Sequence, residues 1–106
     1  MALPTAATVA KRAGISDNDP SAPIALAIAL SWARDELGRA VDDALSDLDA
    51  TGNEAILGAA ADFLKLPAAQ SALVVDNDAP SALPFDIGRR WAPLLNRRNK
   101  HLWAVR

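Results

Sequence analysis

Apolar residues return at helical spacing along two long segments of this 106-residue chain, and alanine is the commonest of them. That pattern points to helices, and it limits what holds them together. Burial stabilises by about 25 cal/mol per Å² of apolar surface, so alanine faces pack closely but gain little per residue. Only Phe63, Phe85, Trp32, Trp91 and Trp103 are aromatic. Two causes of the alanine content stay open: a coding bias, and helices that also pack against copies of themselves. A chain this short is one domain at most and buries roughly 60–70 % of its unfolded surface, which leaves an isolated core marginal.

Turn chemistry divides the chain. Thr5 can cap a helix over residues 6–13, with Gly14 placed as the left-handed residue that ends it. Asx side chains and proline at 15–21 compete with a helix, and Ser21 then caps a helix over about 22–37. Ile24, Ile28 and Trp32 form its stripe, flanked by Leu26, Leu30, Ala33 and Leu37, an apolar arc wide enough for a central helix. Gly38 can end it, or the helix can resume through 39–48. Asn53 or Thr51 caps a helix over about 54–66, with Ile56, Leu57, Ala60, Phe63 and Leu64 at helical spacing and Pro67 as its stop. Residues 68–83 read as an irregular loop, with a short strand at 73–75 and a turn at 76–80. A last helix starts near Pro84 and carries Ile87, Trp91, Leu94 and Leu95, with Pro93 set to kink it. The expected fold is all-α: a small bundle of three to four helices over residues 1–96, followed by an extended basic C-terminal arm, 97–106.

Several function classes lack their residues. Without cysteine there is no disulfide framework and no thiolate metal site. Residues 1–5 carry no charged n-region and no apolar h-region, and the longest apolar run, 22–30, is far short of the roughly 20 residues a membrane span requires. An intracellular, soluble protein without a membrane is expected. His101 is the only histidine and lies in the arm, and there is neither a GxSxG elbow nor a Gly-rich phosphate loop. Serines have no base to activate them, so no enzyme, no metal and no cofactor are expected.

Two short motifs come close to known sites. Asp47-x-Asp49-x-Thr51-Gly52 copies the opening of an EF-hand loop, but the twelfth position, where a bidentate Glu belongs, is Gly58. A turn with a cap is the expected role of these residues, and of Asp76-Asn77-Asp78. Residues 5–16, which include Val9-Ala-Lys-Arg-Ala-Gly14, resemble the first helix and turn of the lactose-repressor-type helix-turn-helix. In that family the recognition helix follows at once; here the chain continues Asp17-Asn-Asp-Pro-Ser-Ala-Pro23, acidic and twice interrupted by proline. Those carboxylates would repel phosphates.

The net charge of −2 conceals a separation. Residues 1–84 hold five Lys/Arg against twelve Asp/Glu, a balance of −7, and residues 85–106 hold six against Asp86 alone, a balance of +5. A basic end of this kind meets something acidic: nucleic acid, another protein, or the body of a neighbouring copy. Arg89, Arg90 and Trp91, then Arg97, Arg98, Lys100, His101 and Trp103, suit phosphate contact with base stacking. They equally suit a protein interface anchored by Trp and Arg. Trp91 reads as a core residue of the last helix. Trp103, three residues from the end, has no core of its own chain to enter.

Taken in order, the elements are similar to those of the head-to-tail connector (adaptor) proteins of tailed bacteriophages. Leu3-Pro-Thr-Ala-Ala-Thr-Val-Ala10 resembles that family's opening L-P-T-A-x-x-V-A helix, and Glu36-Leu-Gly-Arg39 resembles the x-L-G-R end of its Ala-rich helix. Residues 56–66 carry an A-x-x-x-A-A-x-x-L-like face. Leu83-Pro-Phe-Asp-Ile-Gly-Arg-Arg-Trp-Ala-Pro-Leu-Leu95 resembles L-P-x-D-I-x-R-x-x-x-P-L-L. Trp91, where smaller residues are usual, and the acidic segment 42–49 depart from the pattern. The resemblance implies a structural protein of the virion neck, a homo-oligomeric ring (a dodecamer) that joins the portal protein to tail-proximal neck proteins. DNA would pass through it without sequence-specific recognition. Arg97, Arg98, Lys100, His101, Leu102, Trp103, Val105 and Arg106 would contact the portal or a neighbour, and Arg89 and Arg90 would touch DNA or a neighbour. The alternative is a small nucleic-acid-binding protein that uses the helix-turn-helix-like N-terminus or the basic tail.

Overall fold

The computed structural model describes residues 3–65 and 83–96. Among them the chain forms helices only: α1 (Ala6–Ala13), α2 (Ser21–Leu37), α3 (Ala50–Leu64) and α4 (Phe85–Leu95). The bundle is all-α, as its periodicity requires. The strand expected at 73–75, the turn at 76–80 and most of the 68–83 loop lie outside the described residues.

Both ends of α1 follow from its flanking residues. The Thr5 hydroxyl accepts from the Thr8 N–H at 3.2 Å, and Gly14, at φ 78°, donates to the Lys11 carbonyl while Ile15 donates to Ala10. This is a Schellman ending, and Gly38 repeats it on α2: at φ 67° it donates to Asp35, and Arg39 donates to Arg34 at 2.7 Å.

Two helix starts differ from the sequence expectation. Ser21 is the first residue of α2, not its cap; the Asp19 carboxylate accepts from the Ser21 N–H at 2.8 Å. α3 begins at Ala50, so Thr51 and Asn53 lie inside it, and Asp49 is the cap, accepting from Gly52 at 2.9 Å. An earlier start adds a turn of hydrogen bonds and seats Gly52 against the Leu48 side chain.

Residues 39–49 do not resume the helix. The Asp43 carboxylate accepts from the Leu45 N–H at 2.7 Å, an Asx-type bond that competes with helical pairing, and the Asp43 carbonyl accepts from Arg34 Nε at 2.7 Å. Arg39 donates to both Asp47 oxygens, at 3.0 and 2.8 Å, and approaches Asp43 at 3.5 Å. Leu45 is held at φ 54° with its side chain in the core.

Helix α3 packs against the other three and has the largest buried share, including Ala55, Ile56, Ala59, Ala60, Phe63 and Leu64. Helix α2 also touches the other three, but through alanine: Ala22, Ala25, Ala29 and Ala33 are fully buried beside Ile28. Of the expected stripe, Ile28 enters the core and Trp32 packs at its edge, whereas Ile24 is turned outward, 37 % exposed. Small side chains on the facing stripe let the two long helices approach, while Leu26, Leu30 and Trp32 close the flanks half-buried. An Arg12–Glu54 ion pair at 2.8 Å ties α1 to α3.

Candidate interaction surface

Helix α4 is positioned by two tryptophan–glycine contacts. Trp91 packs its ring on Gly58 of α3, where any Cβ would overlap the indole. One turn on, Asp62 accepts from the Trp91 indole N–H at 2.8 Å and from Arg90 at 3.1 Å. From the other side, Trp32 of α2 lies over Gly88 of α4, its Nε1 only 2.8 Å from where a Cβ would stand. Ile87 and Leu95 complete the buried face of α4. Trp91 is thus structural and half-buried, in keeping with the sequence reading.

The helix continues through Pro93 to Leu95. Proline cannot donate to the carbonyl four residues back. Here that carbonyl belongs to Arg89, and both residues lie on the exposed side of α4, where water reaches the freed group.

That exposed side borders a groove of about 590 Å³ between the C-terminal end of α2 and α4. Trp32, Asp35 and Glu36 form one wall; Phe85, Arg89 and Ala92 lie along the other. Phe85 is 77 % exposed, an unusual state for a phenylalanine among so few aromatics. Sequence reasoning placed Trp32 in the core and gave Phe85 no role. The signal was present in the spacing 85–89–92–96, one helical stripe opposite the Ile87–Trp91–Leu95 face.

The two basic residues expected at the surface of α4 differ in their freedom. Arg90 is spoken for by Asp62, although the guanidinium stays well exposed. Arg89 lines the groove and pairs with no carboxylate among the described residues. Arg97, Arg98, Lys100, His101, Leu102, Trp103, Val105 and Arg106 lie outside the described residues.

The near-motifs resolve into structure. Asp47 holds Arg39 and Asp49 caps α3, so this stretch builds a helix entry where an EF-hand would need a chelating loop. Among the described residues no group of three His, Asp or Glu side chains could hold a metal ion, and no helix is long and apolar enough to cross a membrane. In the helix-turn-helix-like stretch, α2 begins five residues after Ser16, and its first eight residues offer one hydroxyl and otherwise apolar side chains. Base edges are read by polar side chains at the start of the recognition helix. That start is missing here.

No family model matches the chain, and no curated protein and no solved structure matches it.

Proposed function

We propose that this chain is a structural subunit of a tailed-phage neck: a small helical adaptor that forms a ring between portal and tail and lets DNA pass. The observation that carries this reading is the order of elements. The chain has, in order, a capped short helix, an alanine-faced long helix ending at a Leu-Gly-Arg, a buried third helix and a proline-initiated fourth helix, and this order is what the connector resemblance rests on. The fourth leads directly into a basic segment bearing Trp103.

Physical considerations support it. A core built largely from alanine gains from burial against neighbours, because anything that binds only the folded form adds to its stability. A closed ring requires a heterologous interface, in which different patches meet. The acidic body and the basic end supply two patches of opposite sign.

The test is imaging and mass photometry of the purified protein with a portal protein encoded beside it. Rings on the portal are expected, and Trp103→Ala should weaken them while leaving the fold intact. A chain that stays monomeric and ignores the portal at high concentration overturns the reading. Tight DNA binding that falls steeply with salt and is lost on deleting residues 97–106 would favour the nucleic-acid alternative instead.

A further inference from the structure

We propose that the groove between α2 and α4 is the seat of this chain's own C-terminal arm, residues 97–106, with Trp103 laid against Phe85 and Trp32. The inference stands on the groove and on the chain that leaves it, and does not depend on the assembly reading.

Reach comes first. The groove runs the length of α4, from Phe85 at one end to Asn96 at the other, and Asn96 is where the arm begins. Eleven helical steps separate these residues, about 16 Å at ~1.5 Å per residue. An extended segment covers that in about five residues at ~3.3 Å each. If residues 97 and 98 reverse the chain, residues 99–103 run back along α4 and deliver Trp103 to the Phe85 end. The sequence reading left Trp103 without a core in its own chain; the groove supplies an apolar surface of that chain at the matching distance.

Charge is the second argument. The arm carries Arg97, Arg98, Lys100 and Arg106 and no carboxylate. The α2 wall presents the exposed carboxylates Asp35 and Glu36, set in the last turn of the helix, where the backbone dipole adds negative potential. Among the described residues, Arg89, on the opposite wall, is the one cation lining the groove. The other chain segment that adjoins the groove, residues 66–82, carries Asp76 and Asp78 and no basic residue, so the same wall disfavours it.

Tethering is the third. A segment joined directly to the rim sees its site at an effective concentration in the millimolar range, which favours this arm over one from a second copy. The arm is thereby kept from other partners until a better one competes for Trp103.

The experiment is NMR on the full-length protein. Contacts between the Trp103 indole and the Phe85 ring are expected in uniformly labelled protein, unchanged on tenfold dilution. They should be absent from isotope-filtered spectra of mixed labelled and unlabelled chains, which report only intermolecular contacts. In the Asp35→Lys/Glu36→Lys variant the Trp103–Phe85 contacts should be lost while the Trp91–Gly58 contacts, which report the folded bundle, persist. Contacts that appear only in the filtered spectra would assign the groove to a second copy and overturn the proposal. So would contacts to Phe85 from residues 66–82, or no contact to Trp103 at all. Failure of ring assembly on a portal would leave these spectra untouched, so the two readings fall separately.

Discussion

Trp91 rests its indole ring on the backbone of Gly58, and the missing side chain at 58 is what lets α4 reach α3. The indole N–H then finds Asp62, one turn further along the same helix face. One glycine therefore sets the depth of the contact, and one carboxylate sets the ring's orientation.

Gly58→Ala should destabilise the protein. Helix propensity alone favours alanine over glycine by about 1 kcal/mol. The ring is rigid and cannot retreat as a flexible chain end would, so overpacking of about 1–3 kcal/mol should prevail. Gly52→Ala is the internal control. Its Cβ would meet Leu48 at 3.4 Å, an ordinary contact, so a gain of up to ~1 kcal/mol is expected there. Urea unfolding of both variants decides the matter, and a stabilised Gly58→Ala would contradict the contact. In a Trp91→Leu background the cost at 58 should shrink.

Asn53→Leu should stabilise the protein. Asn53 is 8 % exposed, and both its amide nitrogen and its amide oxygen lack hydrogen-bond partners. A buried unsatisfied polar group costs about 1–3 kcal/mol, and leucine fills a similar volume without it. Thermal and urea unfolding should show a gain of about 1 kcal/mol or more. A loss would mean that the amide is satisfied in solution, by water or by a partner.

How far the sequence disclosed this molecule depends on the kind of signal. Thr5, Gly14, Gly38 and Pro84 mark helix boundaries correctly, because caps and left-handed glycines act through bonds only a few residues long. The start of α3 was misplaced for the same local reason: Thr51 or Asn53 was expected to cap, but the Asp49 carboxylate, with the same capping chemistry, takes the Gly52 N–H and starts the helix earlier. The buried face of α2 was legible at Ile28 and Ala33 but not at Ala22, Ala25 and Ala29, nor in the exposure of Ile24, because large side chains dominate a periodicity argument whereas small ones permit close approach to α3. Of the candidate surface, Arg89 and Arg90 were legible as basic and exposed. That Asp62 claims one of them, and that Trp32 and Phe85 open a groove, depends on contacts 28 or more residues apart in the chain.

Arg39 should matter for the 39–49 segment through geometry more than through charge alone. Its guanidinium is held above its ordinary pKa chiefly by the hydrogen bond to Asp47, which desolvation opposes, and the charges of Asp47 and Asp43 add to the upward shift. A raised pKa on a base means that the stabilisation is full below the unfolded-state pKa and is lost only as pH rises through the folded one. For an arginine that window lies beyond neutral and mildly alkaline pH, so stability should stay flat there with respect to this group. Arg39→Gln should cost about 0.5–1 kcal/mol, a partly exposed pair being screened by solvent and salt. Arg39→Lys should not restore it, since lysine cannot grip both Asp47 oxygens. Unfolding in low and high salt reads both effects.

Leu45 gives the sharpest test of the backbone. Its side chain is buried, yet its φ of 54° lies in the left-handed region that ordinary residues enter at a cost of about 1–2 kcal/mol. Leu45→Ala should lose about 2–5 kcal/mol, because a core side chain is removed and the strain stays. Leu45→Gly removes the same side chain and relieves the strain, which offsets the ~0.5–1 kcal/mol that glycine ordinarily costs relative to alanine. The glycine variant should therefore be at least as stable as the alanine variant, a reversal of the usual order. Paired urea unfolding curves measure this directly, and a glycine variant clearly less stable than alanine would show that residue 45 is not left-handed in solution.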